Sequence, residues 1–294
     1  MKIETVGIYS PGEMGQAIGE VLRNNGLRVV AALEGRSERT RELAAAAGIE
    51  DVGSLQDLVR AADLVLSILV PSNAAAAARE VAAALRASKA ELLYADCNAI
   101  SPQSTIAVGA IIEEAGGMFV DGSIIGPPPR KPGATRLYVS GAHAEAVTQL
   151  NCEMLEVPVV GTELGQASGL KMCYAGLTKG TMALATEVLL AARMMNLEGH
   201  LRKEFETSQQ VMLGWMERQM PGMPPKAHRF VGEMEEIAAT YERLGMTPHI
   251  QQGAAEMYRA VATTRLGKES PEQRNGSRGL DDVIGMLAAD LGKE

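Results

Sequence analysis

Residues 5–15 read Thr5-Val6-Gly7-Ile8-Tyr9-Ser10-Pro11-Gly12-Glu13-Met14-Gly15, and they decide the fold of the first half of the chain. A short run with β-branched and aromatic residues predicts a strand. After Gly12, the apolar residues Met14, Ile18 and Leu22 share one helical face, which predicts a helix. The first turn of such a helix has unpaired backbone N–H groups that attract phosphate. The stretch therefore predicts a binding site for the pyrophosphate of a dinucleotide.

The glycines of this stretch follow a dinucleotide-binding fingerprint with one departure. In G-x-G-x-x-G, Gly12 lets the backbone approach the phosphates and Gly15 lets helix and strand pack closely, but Ser10 stands at the first glycine. A nucleophile elbow, G-x-S-x-G, is a rival interpretation that fails because its first position is Ile8. A purely structural turn stays the alternative. The predicted cofactor contacts here are Ser10, Pro11, Gly12, Glu13, Met14 and Gly15.

The residues after the second predicted strand distinguish NAD from NADP. Glu34 follows Gly15 at about the 20-residue spacing at which an acidic side chain binds the ribose 2′-hydroxyl of NAD. Arg36 and Ser37, in contrast, offer a cation and a hydroxyl that suit the 2′-phosphate of NADP. We expect NADP, with NAD as the alternative.

The wider pattern predicts two domains. Up to residue 161, short apolar runs alternate with Ala-rich amphipathic stretches, which is typical of a doubly wound parallel sheet covered by helices. Residues 162–294 lose the strand signal and read as helices stopped by Pro and Gly. We therefore expect an α/β dinucleotide-binding domain over 1–161 and an all-helical domain over 162–294. The predicted strands are residues 5–10, 28–33, 64–69, 92–95, 118–124, 137–140 and 157–160.

Composition excludes several classes of protein. The net charge of −8 argues against a nucleic-acid partner, because such domains ordinarily carry a basic patch. The longest strongly apolar stretch, residues 64–70, is far shorter than the roughly 20 residues of a membrane span. No secretory signal is evident before the first strand, so we expect a cytoplasmic protein. The three Cys and four His show no metal-ligand spacing, so we expect no metal.

Motifs in several segments match one enzyme family. Residues 7–15 match G-x-I-G-x-G-x-M-G with Ser10 at the middle glycine, residues 69–72 match a loop after the fourth strand, and residues 96–102 resemble D-x-S-T-x-S-P. Residues 121–126 stand at D-A-P-V-S-G, and residues 165–175 at a helix with the pattern K-x-x-x-N. On these motifs the chain resembles the β-hydroxyacid dehydrogenase family, which includes 6-phosphogluconate and 3-hydroxyisobutyrate dehydrogenases, and within it a phosphogluconate-dehydrogenase-like branch.

The resemblance implies further site residues. Val70, Pro71 and Asn98 would contact the cofactor. In better-known members a Ser and a Gly of the D-A-P-V-S-G loop hold the substrate carboxylate, and here Ile125 replaces that Ser. Ala175 replaces the Asn of the helix motif. The predicted substrate contacts are Ser123, Ile125, Gly126, Ser168 and Ala175.

Lys171 stands on the lysine of the family's catalytic helix, and we predict that it is the general acid and base. A lysine beside an oxidised, positively charged nicotinamide has its pKa lowered toward neutrality, where proton exchange is efficient. Helical spacing places Ser168, Lys171 and Tyr174 on one face, so Tyr174 would donate a hydrogen bond to the substrate oxygen. A surface lysine without a catalytic role is the alternative.

The sequence thus predicts an NAD(P)-dependent oxidoreductase that acts on a β-hydroxyacid-like or related alcohol or carbonyl. Two alternatives stay open. One is C=N reduction as in imine reductases, which usually carry Asp or Tyr where this chain has Lys171. The other is a nucleotide-binding sensor or scaffold without catalysis. We also expect a small-molecule substrate and a homodimer, because the helices after Gly161 expose much apolar surface.

Overall fold

An eight-stranded sheet organises the N-terminal part of the chain. The computed structural model describes residues 1–270 and 275–292, and the chain divides into two compact units, Met1–Met172 and Cys173–Glu294. The sheet has the order β3-β2-β1-β4-β5-β6-β7-β8, in which the first six strands follow the doubly wound 3-2-1-4-5-6 pattern. Its strands are β1 (Thr5–Ile8), β2 (Arg28–Ala31), β3 (Glu50–Asp51), β4 (Leu64–Ser67), β5 (Leu93–Asp96), β6 (Met118–Ile125), β7 (Arg136–Ser140) and β8 (Val159–Gly161).

All seven strands predicted from the sequence are present, with bounds that differ by at most two residues. The pairing departs from prediction at one place, because β6 and β7 are antiparallel. Their connection, residues 126–135, is shorter than the dozen or so residues that a parallel crossover needs. The sequence did not predict β3, since Glu50 and Asp51 are exposed and acidic and have no apolar pattern.

Helices cover both faces of this sheet. They are α1 (Glu13–Asn24), α2 (Glu38–Ala46), α3 (Leu55–Ala61), α4 (Ala74–Ser88), α5 (Pro102–Glu113), α6 (Ala144–Val147) and the first turns of α7 (Gln166–Met194). Successive strand residues serve opposite cores, so that on β4 Leu64 and Leu66 pack on one side and Val65 on the other. Burial on both faces explains the nearly continuous apolar runs. The predicted doubly wound α/β class is confirmed.

All the regular secondary structure in the described residues of the C-terminal unit is helical, as predicted for this half of the chain. After the rest of α7 it contains α8 (Glu198–Ser208), α9 (Gln210–Gln219), α10 (Ala227–Arg243), α11 (His249–Thr263) and α12 (Leu280–Leu291). Two 3-10 turns, Met220–Gly222 and Pro224–Lys226, form the predicted Pro/Gly break. The boundary between the units lies inside α7, whereas the sequence placed a domain boundary just before this helix.

Among residues 1–270 and 275–292, no helix combines the length and apolar character needed to cross a membrane. The same residues hold no group of three or more His, Cys, Asp and Glu side chains that could bind a metal.

Candidate active site

The predicted phosphate loop connects β1 to α1. Gly12 is the N-cap of α1, and no side chain among the described residues caps the helix there, so the N–H groups of its first turn point out of the helix end. A Cβ on Gly12 would meet no described atom within 4 Å, whereas one on Gly15 would lie 2.4 Å from the carbonyl oxygen of Ser10. Gly15 therefore lets α1 pack on β1, and Gly12 leaves room in front of the helix. This arrangement fits a pyrophosphate.

The other residues of the loop divide into accessible and packed ones. Ser10 is partly exposed and Glu13 is exposed, while Pro11 is buried. Met14 is partly buried and packs against the hydrophobic core on one face of the sheet. Pro11 and Met14 thus pack toward the interior of the protein. The accessible surface of the loop consists of Ser10, Gly12 and Glu13.

Arg36 and Ser37 lie between β2 and α2. The guanidinium carbon of Arg36 lies 4.9 Å from the centre of the Tyr9 ring, and its Nη2 donates to the Tyr9 carbonyl oxygen over 3.1 Å. The Ser37 Oγ caps α2 by accepting from the Thr40 backbone N–H at 3.2 Å. Glu34 is exposed. Arg36 is therefore held against the residue that leads into the phosphate loop.

Tyr9 is a site residue that sequence reasoning did not single out. Its ring is buried under Arg36, and its hydroxyl donates to Glu80 Oε2 over 2.5 Å. Burial, together with the nearby Glu80 carboxylate, raises the pKa of Tyr9 to about 12. The phenol is thus neutral at physiological pH and serves as a platform for the guanidinium. The one sequence signal that could have identified Tyr9 is its position directly before Ser10, the first residue of the predicted phosphate loop.

Asn98 holds the loop that follows β4. Its Nδ2 donates to Asp96 Oδ2 at 2.8 Å and to Ser67 Oγ at 3.1 Å, and its Oδ1 accepts from the Leu69 N–H at 2.5 Å. Only 2% of the residue is exposed. The carboxamide thus ties the end of β5 to the loop after β4, and a contact between Asn98 and the cofactor stays a prediction.

Val70 and Pro71 belong to the loop that Asn98 holds. Val70 is exposed, and Pro71 begins a short 3-10 turn, Pro71–Asn73, that leads into α4. An exposed apolar side chain after a buried strand offers a contact surface for a planar ligand. The two residues therefore stay candidates for cofactor contacts.

Ser168 lies in a buried hydrogen-bond network at the start of α7. Its hydroxyl donates to Asp121 Oδ1 over 2.5 Å and lies 2.7 Å from Thr105 Oγ1, and 1% of the residue is exposed. The hydroxyl is therefore buried and hydrogen-bonded on both sides, and it joins the start of α7 to β6 and α5. A substrate contact of Ser168 stays a prediction.

Lys171 follows one turn later on α7 and is half-buried. Its charge acts on two buried groups at the end of β5, Asp96 and Cys97. Burial raises the pKa of Asp96 to about 6, and the hydrogen bonds from Asn98 and the charge of Lys171 oppose this rise. Burial also raises the pKa of the Cys97 thiol. Lys171 thus lies near the carboxyl end of β5, an edge at which doubly wound sheets bind ligands.

The predicted substrate segment ends β6. Ser123 and Ile125 are buried within the sheet, and the Ser123 hydroxyl has no hydrogen-bond partner in the described part of the chain. Substrate contacts of Ser123 and Ile125 stay a prediction. Gly126 is exposed, with φ +124°, and a Cβ there would lie 2.2 Å from the Ala134 carbonyl oxygen. Only glycine fits this position, which opens the connection to β7.

Two predicted residues lie in the C-terminal unit. Tyr174 is 53% exposed, so its ring and hydroxyl are accessible. Ala175 is buried. Its buried methyl group offers little surface to a ligand, and a substrate contact of Ala175 stays a prediction.

Within the C-terminal unit, α7, α10 and α11 line a groove of about 800 Å³. Three apolar side chains of this groove, Leu177, Leu184 and Ile250, are 60–72% exposed. The buried Gln251 Oε1 in the same groove has no hydrogen-bond partner among residues 1–270 and 275–292. Exposed apolar surface of this kind is typical of an interaction site.

Two family models match the chain. Residues 3–147 match the NAD-binding domain of 6-phosphogluconate dehydrogenase, and residues 192–261 match a domain of unknown function, DUF1932. A solved structure of a conserved protein, reported as similar to 3-hydroxyacid dehydrogenases, is 30% identical with a TM-score of 0.67. The match covers 88% of this chain and 96% of that one. The chain belongs to the β-hydroxyacid dehydrogenase family.

Other relatives extend the comparison. An uncharacterized 28.5 kDa protein of Methanothermus fervidus is 28% identical over 204 residues, 69% of this chain and 77% of the relative. Two more distant structures share the fold. The Mycobacterium tuberculosis 3-hydroxyisobutyrate dehydrogenase is 18% identical, with a TM-score of 0.67 over 92% of this chain and 97% of its own. An imine reductase from Myxococcus stipitatus, in complex with NAD⁺, is 17% identical, with a TM-score of 0.56 over 98% and 99%.

Family and domain together define the broad activity. A β-hydroxyacid dehydrogenase family member with an NAD-binding domain is an NAD(P)-dependent oxidoreductase. The resemblance inferred from the motifs is confirmed.

Proposed function

We propose that the protein transfers a hydride between NADP and a β-hydroxyacid-like or related alcohol and its carbonyl, with Lys171 as general acid and base. The observation that carries this proposal is the environment of Lys171. It is a half-buried lysine whose charge acts on Asp96 at the carboxyl end of β5. Ligands of doubly wound sheets bind outside these strand ends.

The chemistry assigned to the side chains is proton transfer. A bound nicotinamide supplies the hydride acceptor or donor. Lys171 takes the hydroxyl proton on its neutral Nζ during oxidation and returns it to the carbonyl oxygen during reduction. It gives up its own proton more readily beside a positively charged ring. Tyr174, one turn further along α7 and exposed, would donate a hydrogen bond to the same oxygen.

The phosphate loop and the end of β2 would hold the cofactor. The uncapped first turn of α1 suits the pyrophosphate. Arg36, stacked on Tyr9, and Ser37, at the N-terminus of α2, suit a 2′-phosphate better than a free hydroxyl. These contacts support NADP as the preferred cofactor.

We also propose that the protein is a homodimer that covers the groove between α7, α10 and α11. The proposal is supported by the exposed Leu177, Leu184 and Ile250, since large exposed apolar patches usually mark interfaces. Most oligomers are symmetric homodimers, so a second copy is the expected occupant.

The test of the enzymatic proposal is NADPH consumption with a panel of β-keto acids, aldehydes and cyclic imines. Lys171→Ala is compared with wild type and with Lys203→Ala, a control at an exposed lysine on α8. We expect carbonyl reduction, a fall in kcat of about 10²–10⁴ for Lys171→Ala only, and unchanged cofactor binding by fluorescence.

Each contrary outcome has a distinct meaning. Reduction of imines but not carbonyls would favour the imine reductase alternative, for which the shared fold is the supporting observation. Cofactor binding without turnover of any substrate would favour a sensor or scaffold. A Lys171→Ala variant that keeps more than about a tenth of kcat would remove Lys171 from the mechanism, since that loss lies below the usual range of acid–base catalysis.

A further inference from the structure

We propose that Asp121 is a positioning residue, because its buried carboxylate fixes the first turn of α7 and, through it, Lys171. The inference rests on the proposed function of Lys171 as proton carrier. Asp121 lies in the middle of β6, beside Asp96 of β5 in the parallel register. It is completely buried.

Four donors from two other elements converge on this carboxylate. Its Oδ2 accepts from the backbone N–H groups of Gly165 at 2.9 Å and Ser168 at 3.0 Å, and from the Ser140 hydroxyl at 2.9 Å. Its Oδ1 accepts from the Ser168 hydroxyl at 2.5 Å. Because the single Ser168 proton goes to Asp121, Thr105 must donate to Ser168 across their 2.7 Å contact. The start of α7 is therefore tied to β6 and β7 through the Asp121 side chain, and to α5 through the Ser168 hydroxyl.

Charge as well as geometry favours a carboxylate here. The first N–H groups of a helix have no intrahelical acceptor, and the helix dipole attracts a negative charge to that end. Asp121 supplies both an acceptor and the charge. A neutral side chain would leave part of this buried donor set without an acceptor, which costs far more than a missing surface hydrogen bond.

Close packing against α5 also restricts the position of the first turn of α7. Gly165 has φ +95°, and a Cβ there would lie 3.0 Å from the Cβ of Pro102 at the start of α5. The first turn therefore cannot shift toward α5 to recover contacts that it loses. Lys171 lies three residues after Ser168 on the same helix, so a rotation or displacement of this turn moves its Nζ directly.

The experiment compares Asp121→Asn with Asp63→Asn in the full chain. Asp63 is a matched control in the same unit, since its carboxylate also accepts from two backbone N–H groups, those of Glu4 and Thr5 at 2.8 Å each. Three readouts are measured: kcat, NADPH affinity and amide hydrogen exchange of residues 165–171. A displacement of about 1 Å can reduce a rate up to about 100-fold.

We expect Asp121→Asn to lower kcat about 10- to 100-fold, with NADPH affinity changed by less than about twofold. We expect faster exchange over residues 165–171 in this variant and not in Asp63→Asn. Ser168→Ala removes one of the four bonds but keeps the backbone donor, so it should give a smaller loss of kcat. It also keeps the proposal testable if Asp121→Asn does not fold.

An equal loss of kcat in Asp121→Asn and Asp63→Asn would overturn the proposal, as would unchanged exchange over residues 165–171. A loss of NADPH affinity in Asp121→Asn as large as its loss of kcat would also overturn it, because the substitution would then disturb the whole unit and not the position of Lys171 alone. Failure of the proposed function looks different: the wild type would turn over none of the substrates. The exchange comparison would then still decide whether Asp121 anchors α7, and the catalytic consequence of that anchor would be refuted.

Discussion

Alanine at Gly15 should weaken the fold, whereas alanine at Gly12 should spare the fold and block the cofactor. At position 15 the new Cβ would lie 2.4 Å from the Ser10 carbonyl oxygen, where ordinary contact begins at 3.4 Å. Because the clashing atom is backbone, α1 must move about 1 Å away from β1. Overpacking of this kind costs about 1–3 kcal/mol, and the better helix propensity of alanine offsets up to about 1 kcal/mol.

Gly12 gives the matched comparison. Its φ of −76° and ψ of −163° are open to alanine, and its Cβ would meet no atom within 4 Å in the described part of the chain. The loss of a glycine N-cap costs under about 1 kcal/mol. The methyl group would, however, stand in front of the helix end that we assign to the pyrophosphate. We therefore expect NADPH affinity to fall at least about tenfold, or about 1.4 kcal/mol.

Urea unfolding and a fluorescence titration with NADPH measure the two effects separately. Gly15→Ala should lower the free energy of unfolding by about 1–2 kcal/mol. Each kcal/mol of lost stability lowers Tm by about 2–4 °C. Gly12→Ala should unfold like wild type and fail in the titration. Wild-type NADPH affinity in Gly12→Ala would refute the assignment of the loop to the pyrophosphate, and wild-type stability in Gly15→Ala would refute the packing argument.

Three other measurements follow from the structure. Arg36→Ala should weaken NADPH binding by about 1.5–3 kcal/mol through loss of a charge-assisted pair and leave NADH binding unchanged, and an equal loss for both would contradict the 2′-phosphate contact. Leu184→Glu should convert the dimer to a monomer by light scattering, and a wild type that is already monomeric at micromolar concentration would disprove the interface. Burial raises the pKa of Asp96 from 3.8 to about 6, so between pH 4 and 6 the folded state holds a proton that the unfolded state has lost. The free energy of unfolding should therefore fall as the pH rises from 4 to 6. Asp96→Asn should remove up to about 3 kcal/mol of this pH dependence in urea unfolding, and the idea is wrong if the slope persists.

The sequence was most informative where the signal is local. Apolar runs such as residues 64–67 predicted the buried strands. The succession of a strand, a Gly-rich turn and a helix correctly predicted the local structure of the phosphate loop. The two residues of β3 carry no such signal, since they gain their pairing only from β2.

Side-chain roles were harder to predict because distant partners decide them. Ser168 and Asn98 are predicted ligand contacts, and the sequence did not indicate that they also bind structural partners, 47 residues away for Ser168 and 29 and 31 residues away for Asn98. Asp121 belongs to a motif that was noted for its later residues, and its own function depends on a helix that begins far along the chain. Hydrogen bonds over such separations follow from the fold and leave no periodicity in the sequence.

The short acidic strand β3 also decides how the sheet behaves toward other sheets. Its pairing with β2 covers two residues, and the Asp51 carboxylate takes the backbone N–H groups of Gly53 at 2.8 Å and Leu33 at 3.2 Å. Glu50 forms an exposed ion pair with Arg28 across the same edge. A free strand that approached this border would find little open backbone and two charged side chains. Edge-to-edge growth, the first step of many fibrous aggregates, is thereby discouraged on this side of the molecule.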